Sequence, residues 1–159
     1  MSELFSESLR DYRTILVASG GAPHSLVAVA RAARIVRRVG ATLHLVAVVP
    51  QAASPLMNVA TAFAGGEMFE GQAKQDDYAQ REAYLQRAAA DLRAAGLDVH
   101  AHLVPALKPA DAIVQVAQEQ NADLIILGRK HKSAWTAALA GSVSDMVSHA
   151  SPVDVLIVR

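Results

Sequence analysis

The alternation of two kinds of segment limits the fold of this chain more than any other feature. Five short apolar runs, rich in valine, isoleucine and leucine, are the predicted strands: 13–19, 41–49, 97–104, 122–128 and 153–158. Most of these runs have no polar face, which is typical of strands covered by helices on both sides of a parallel sheet. Right-handed crossovers between the strands then give an α/β fold with a doubly wound, five-stranded parallel sheet.

Four segments between these runs have the period of an α-helix. They are residues 25–39, residues 73–95, a segment that begins at Pro109, and residues 141–149. In the first, the predicted buried stripe is Leu26, Val29, Ala30, Ala33 and Val36. In the second, Tyr78, Leu85 and Leu92 repeat along the helix. Residues 50–72 show no period, so we predict a long loop with a functional role.

Composition and charge exclude several classes of protein. Fifteen basic and fifteen acidic residues balance, so no net field attracts nucleic acid or a membrane surface. The chain has no cysteine, which excludes disulfides and thiolate chemistry. The first 13 residues are mixed in charge and do not resemble a secretory signal. We therefore expect a cytoplasmic, soluble protein without nucleic-acid or membrane partners.

The carboxyl ends of the strands are the predicted ligand site, as in other doubly wound sheets. The stretch "LGRKHKSAWTAALAGS" (Leu127 to Ser142) begins at the end of the fourth strand and ends at the start of the last predicted helix. Glycines let the backbone approach phosphate oxygens, and a helix N-terminus offers free N–H donors. Ser142 can either cap that helix or contact a phosphate. The pattern therefore predicts a phosphate-binding loop.

Three longer blocks resemble the universal stress protein family. They are "TILVASGGAPHS" (opening strand and turn), "PADAIVQVAQEQNADLIILGRK" (third helix and fourth strand) and "GSVSDMVSHASPVDVLIVR" (closing helix and strand). The similarity covers residues 12–159 and leaves 1–11 as an N-terminal extension. The resemblance implies an adenine nucleotide alpha hydrolase-like fold with strand order 3-2-1-4-5. It also implies a role in the stress response and a homodimer, formed through the last strand.

The chain departs from the ATP-binding members of that family at two places. Those members carry G-x2-G-x9-G-[S/T] after strand four. Gly128, Gly141 and Ser142 keep this spacing, but His131 stands in place of the second glycine. Such members also have an aspartate in the turn after strand one, where this chain has Gly20. The resemblance therefore indicates an altered ATP-binding loop without the carboxylate that helps to hold the nucleoside.

Three hypotheses about function follow. The first is a regulatory module that binds ATP or AMP, with Mg²⁺ accompanying ATP. Its predicted site residues are Ser19, Gly20, Val48, Gly128, Arg129, His131, Gly141, Ser142 and Val143. The second is a family member without nucleotide, which acts through dimerisation and contacts with other proteins. The third is a slow ATPase.

Neither a catalytic residue nor a metal site is predicted. No base accompanies Ser19, and the S-G-G sequence that begins there matches only the start of the loop of ATP pyrophosphatase-type enzymes. Pro23 and His24 stand where that loop needs aspartate and serine. His100 and His102 share one face of strand three and could chelate a metal, but no third ligand has a recognisable spacing.

Overall fold

The computed structural model describes residues 9–51, 67–129 and 142–159, with the backbone alone for residues 67–74. Five strands and four helices alternate in these ranges: β1 (Thr14–Ala18), α1 (Pro23–Val39), β2 (Thr42–Pro50), α2 (Glu67–Ala94), β3 (Val99–Ala106), α3 (Pro109–Glu119), β4 (Leu124–Gly128), α4 (Val143–Ala150) and β5 (Asp154–Val158). Every strand pair is parallel, and the order in the sheet is β3-β2-β1-β4-β5. The predicted fold and strand order are confirmed.

The two faces of the sheet bury separate apolar clusters. Ile15 and Val17 of β1 face α1 and α2, whereas Leu16 faces α3 and α4, because side chains alternate along a strand. All three side chains are fully buried. Each contributes roughly 1.5–3 kcal/mol by leaving water. The central strand therefore anchors helices on both sides and fixes the position of its carboxyl end.

Helix α1 buries a slightly different stripe from the predicted one. Val29 and Val36 are buried as predicted, but Leu26 is 46% exposed and Ala30 is also exposed. The helix instead turns small residues, including Ala28 and Ala32, against the sheet. Small side chains allow the helix backbone to approach the strands closely, and the buried face of α1 is made of these residues and not of Leu26.

Helix α2 begins at Glu67, six residues before the predicted start, so residues 67–72 are helical and not part of a loop. The acidic residues at this end favour a helix N-terminus, but Gly71 obscured the period. Leu85 is buried as predicted, whereas Tyr78 is 42% exposed and does not belong to the buried stripe. At the other end of the predicted loop, Pro50 is the last residue of β2 and not part of a loop. Residues 52–66 lie outside the described residues. Within the described ranges, no helix is long and apolar enough to cross a membrane.

The amino ends of the strands are closed by polar contacts. The Asp123 carboxylate accepts hydrogen bonds from the backbone N–H groups of Arg13 and Thr14 at 2.9 and 3.1 Å.

A groove of about 300 Å³ opens at the amino ends of β4 and β5. It is lined by Ala117, Gln118, Asn121, Ala122, Pro152 and Val153. None of these side chains carries a charge, so the groove offers no cation to a phosphate.

Candidate functional site at the carboxyl ends of β1 and β4

A chain of hydroxyl groups lies at the carboxyl end of β1. Ser25 Oγ donates to the Ala22 carbonyl at 2.8 Å, which uses its one proton. The 2.9 Å contact between Ser19 Oγ and Ser25 Oγ therefore has Ser19 as donor. For the same reason, Tyr84 is the donor in its 2.6 Å contact with Ser19 Oγ. The direction of every hydrogen bond in this chain is thus determined.

Ser19 is fully engaged inside the protein. Its hydroxyl donates once and accepts twice, from Tyr84 and from the backbone N–H of Gly21 at 3.3 Å. The residue is only 3% exposed. Its backbone N–H donates to the Val46 carbonyl at 2.8 Å and extends the sheet by one bond. In this structure Ser19 fixes the shape of the turn, and its side chain has no capacity left for a ligand.

Helix α2 lies across the two glycines that follow Ser19. A Cβ atom at Gly20 would overlap Nη1 of Arg81, and one at Gly21 would come within 3.2 Å of the Tyr84 ring. Gly21 also has φ +91°, a conformation that favours glycine. Gly21 is thus required by its backbone conformation and by the Tyr84 ring, whereas the contact at Gly20 is with the flexible end of Arg81. The sequence predicted a turn at these glycines but did not identify the two α2 side chains that lie over it.

Arg81 places a positive charge where the family pattern has a carboxylate. Its Nε is 3.0 Å from the nearer carboxylate oxygen of Asp77, one turn earlier on the same helix. The Arg81 side chain is 28% exposed, so the guanidinium stays accessible to solvent beside Gly20. The single carboxylate of the family pattern is thus replaced by an Arg81–Asp77 ion pair beside Gly20, which sequence reasoning missed.

Gly128 ends β4 against the first turn of α1. A Cβ at this position would overlap the carbonyl oxygen of His24 and lie 2.7 Å from its carbon. These are backbone atoms, which cannot move aside by a side-chain rotation. The structure therefore gives Gly128 a packing role, in addition to the phosphate contact that the motif predicts.

Ser142 is the N-cap of α4, as its position predicted. Its Oγ accepts the backbone N–H of Asp145 at 3.2 Å and lies 2.9 Å from Ser144 Oγ. The predicted contact residue Val143 is the first residue of the helix and is 37% exposed. Asp145 adds an acidic group to the first turn. The cap and the Ser144 contact use two of the three hydrogen bonds that the Ser142 hydroxyl can make, so one remains for another contact.

Of the four remaining predicted site residues, the structure describes Val48 and Arg129. Val48 is half-buried near the carboxyl end of β2, and Arg129 is exposed directly after β4. The backbone N–H of Arg129 donates to the Val158 carbonyl at 2.9 Å. Both therefore lie at the same edge of the sheet as Ser19 and Gly128. The predictions for His131 and Gly141 fall outside the described residues.

The two histidines predicted as neighbours on β3 do not form a pair with each other. Nε2 of His100 lies 3.2 Å from the carboxylate of Asp98, whereas His102 contacts His44 of the adjacent strand. Among the side chains that the structure describes, no group of three or more His, Cys, Asp or Glu is arranged to hold a metal ion.

The sequence matches the family model described as "Universal stress protein family" over residues 11–159. The chain therefore belongs to the universal stress protein family. Among curated proteins, it is 45% identical to a universal stress protein of Mycobacterium tuberculosis over 51 residues, which are 32% of this chain and 35% of that protein. A universal stress protein of Methanothermobacter thermautotrophicus gives the same identity over 51 residues, 34% of its length. The matched segment thus spans about a third of these curated relatives.

Solved structures match over nearly the whole chain. A universal stress protein in complex with cAMP is 30% identical, with a TM-score of 0.66 over 94% of this chain and 98% of that one. A universal stress protein of Archaeoglobus fulgidus in complex with dAMP is 22% identical, with a TM-score of 0.64 over 94% and 99%. At this lower identity the second similarity supports the fold alone.

Proposed function

We propose that the protein is a regulatory module of the stress response that binds an adenine nucleotide at the carboxyl ends of β1 and β4. One observation carries the proposal: a relative with 30% identity over 94% of this chain binds cAMP. The described candidates Ser19, Val48 and Gly128 lie at one edge of the parallel sheet, and this supports the proposal because such sheets bind ligands at that edge. AMP, cAMP and ATP, the last with Mg²⁺, are the ligands to compare.

The phosphate would lie at the start of α4. The first-turn N–H groups of a helix and its dipole favour an anion, and Ser142 keeps hydrogen-bonding capacity there. Arg129 adds a positive charge at the same edge of the sheet. The acidic Asp145 opposes part of this attraction, so a phosphate with one or two charges suits the site better than a triphosphate without its metal ion.

The nucleoside end of the site differs from the family pattern. Gly20 supplies no carboxylate for the ribose or base, and Ser19 is already saturated by Tyr84 and Ser25. The accessible Arg81 guanidinium instead favours an acceptor, such as a phosphate or a ring nitrogen. We therefore expect weak discrimination between adenine and other bases, with the phosphate providing most of the affinity.

A second function is favoured by the same turn. Because Arg81 and Tyr84 lie over Gly20 and Gly21, α2 covers part of the surface that a nucleoside would contact. A protein in this state would act without nucleotide, through a homodimer and contacts with other proteins. The edge strand β5 is the proposed dimer contact. Light scattering of the full chain, with and without nucleotide, would show whether the dimer depends on a ligand.

The nucleotide proposal is tested by calorimetric titration of three matched proteins. Asp and Asn cap a helix about as well as Ser, so Ser142→Asp and Ser142→Asn both preserve α4. Only the aspartate adds a negative charge at the proposed phosphate position. We expect at least tenfold weaker binding of AMP or cAMP to Ser142→Asp, and little change in Ser142→Asn. Equal affinity in both variants, or no heat from the wild type at millimolar nucleotide, would overturn the proposal.

A further inference from the structure

Three histidines meet on one face of the sheet, away from the nucleotide site. His44 of β2 lies opposite His100 of β3, and His102 follows on the same face of β3. Nδ1 of His44 is 2.9 Å from Nε2 of His102. The His44 ring stacks on both others, with centroids 5.1 Å apart in each pair. The proposed function gives this cluster no role.

The cluster is partly buried and open at one side. His44 is 7% exposed, His102 is half-buried, and His100 is exposed on the edge strand β3. Burial, followed by the proximity of the other two histidines, lowers the pKa of His44 to about 4. Burial also lowers the pKa of His102. Two neutral imidazoles therefore face each other, and solvent reaches the pair from the side of the half-buried His102.

We propose that His44 and His102 form a two-imidazole site for a divalent transition-metal ion that prefers nitrogen ligands, such as Zn²⁺, Ni²⁺ or Cu²⁺. Metal–nitrogen bonds of about 2.0–2.1 Å separate two nitrogens on one ion by roughly 2.9–3.4 Å, for angles between 90° and tetrahedral. The 2.9 Å separation of Nδ1 and Nε2 lies at the short end of this range. A small rotation of either ring would admit the ion.

Binding of a metal ion leaves the number of protons on the two imidazoles unchanged. In the metal-free pair, one imidazole donates its N–H to the other. Binding requires both facing nitrogens to present lone pairs, so the donor ring moves its proton to its other nitrogen. This step changes the tautomer and releases no net proton. Water completes the coordination of the ion on the solvent side of His102.

The donor set selects the kind of ion. Imidazole suits Zn²⁺, Cu²⁺ and Ni²⁺, whereas Mg²⁺ and Ca²⁺ need oxygen ligands. The Asp98 carboxylate contacts His100 and not the proposed pair. A bound ion would also link β2 to the edge strand β3, and would stabilise the native state by mass action.

The test is calorimetric titration of the full chain with ZnCl₂ or NiCl₂ alone, after removal of metal with EDTA. Wild-type protein should bind one ion, and MgCl₂ should give no heat. His102→Gln should weaken binding at least tenfold. The control variant His149→Gln, which changes a histidine of α4 outside the cluster, should bind like wild type.

A measurement on unmodified protein makes the test independent of variant folding. In long-range ¹H–¹⁵N spectra, Zn²⁺ should shift Nδ1 of His44 and Nε2 of His102, and leave the ring of His149 unchanged. Wild-type affinity in His102→Gln would overturn the proposal. So would unchanged ring signals of His44 at saturating Zn²⁺, which would mean that the pair is a hydrogen bond only.

Discussion

Replacing Gly128 with alanine tests how the end of β4 is built. The new Cβ would lie 2.7 Å from the His24 carbonyl carbon and would overlap its oxygen. Ordinary carbon contacts are about 3.5–4.0 Å, so the first turn of α1 must move by roughly 1 Å. Overpacking of this kind costs about 1–3 kcal/mol. We expect a cost at the upper end, because backbone atoms must shift and α1 is packed on the sheet.

Thermal unfolding measures this effect directly. For a chain of this size, 1 kcal/mol lowers the melting temperature by about 2–4 °C, so Gly128→Ala should melt about 5–10 °C below wild type. Gly96→Ala is the matched control, because Gly96 has φ +89° and open space around its Cβ position. That change should cost only about 1 kcal/mol of backbone strain. A Gly128→Ala protein that melts no lower than Gly96→Ala would refute the packing argument.

Two further changes probe the turn after β1. Tyr84→Phe removes the donor to Ser19 and should lower the free energy of unfolding in urea by about 1 kcal/mol; an unchanged midpoint would contradict a stabilising hydrogen bond from Tyr84 to Ser19. Gly20→Asp displaces only the flexible end of Arg81, so it should change stability by less than about 1 kcal/mol, far less than Gly128→Ala. A loss as large as that of Gly128→Ala would show that the Arg81 contact is rigid.

The fold could be predicted because its signals are local. The run at Ile15–Val17 is apolar on both faces, and only a strand between two helix layers buries both. The predicted end of the first helix at residue 39 is confirmed, with Gly40 as its cap at φ +72°, and so is the predicted start of α3 at Pro109. The early start of α2 was missed because Gly71 and the polar residues around it carry no helical period.

The site was less predictable because its contacts are distant in sequence. Ser19 and Tyr84 are 65 residues apart, and no local pattern shows that they share a hydrogen bond. His44 was likewise missed as a partner of His102, because the pairing depends on the register of β2 and β3. The cap was one of the two roles predicted for Ser142, and it could be recognised because capping depends on only three neighbouring residues.

The most direct test of nucleotide binding is a ¹H–¹⁵N chemical-shift titration of the full chain with AMP. If AMP binds at the proposed site, the chemical shifts of the backbone amides of Gly20, Gly21 and Val143 to Asp145 should change in fast exchange and saturate. These amides lie near the carboxyl ends of β1 and β4. Amides of Val99 to Ala101, at the amino end of β3, should stay unchanged. Shifts confined to other surfaces, or none at millimolar AMP, would contradict nucleotide binding at this edge and leave the ligand-free function as the better explanation.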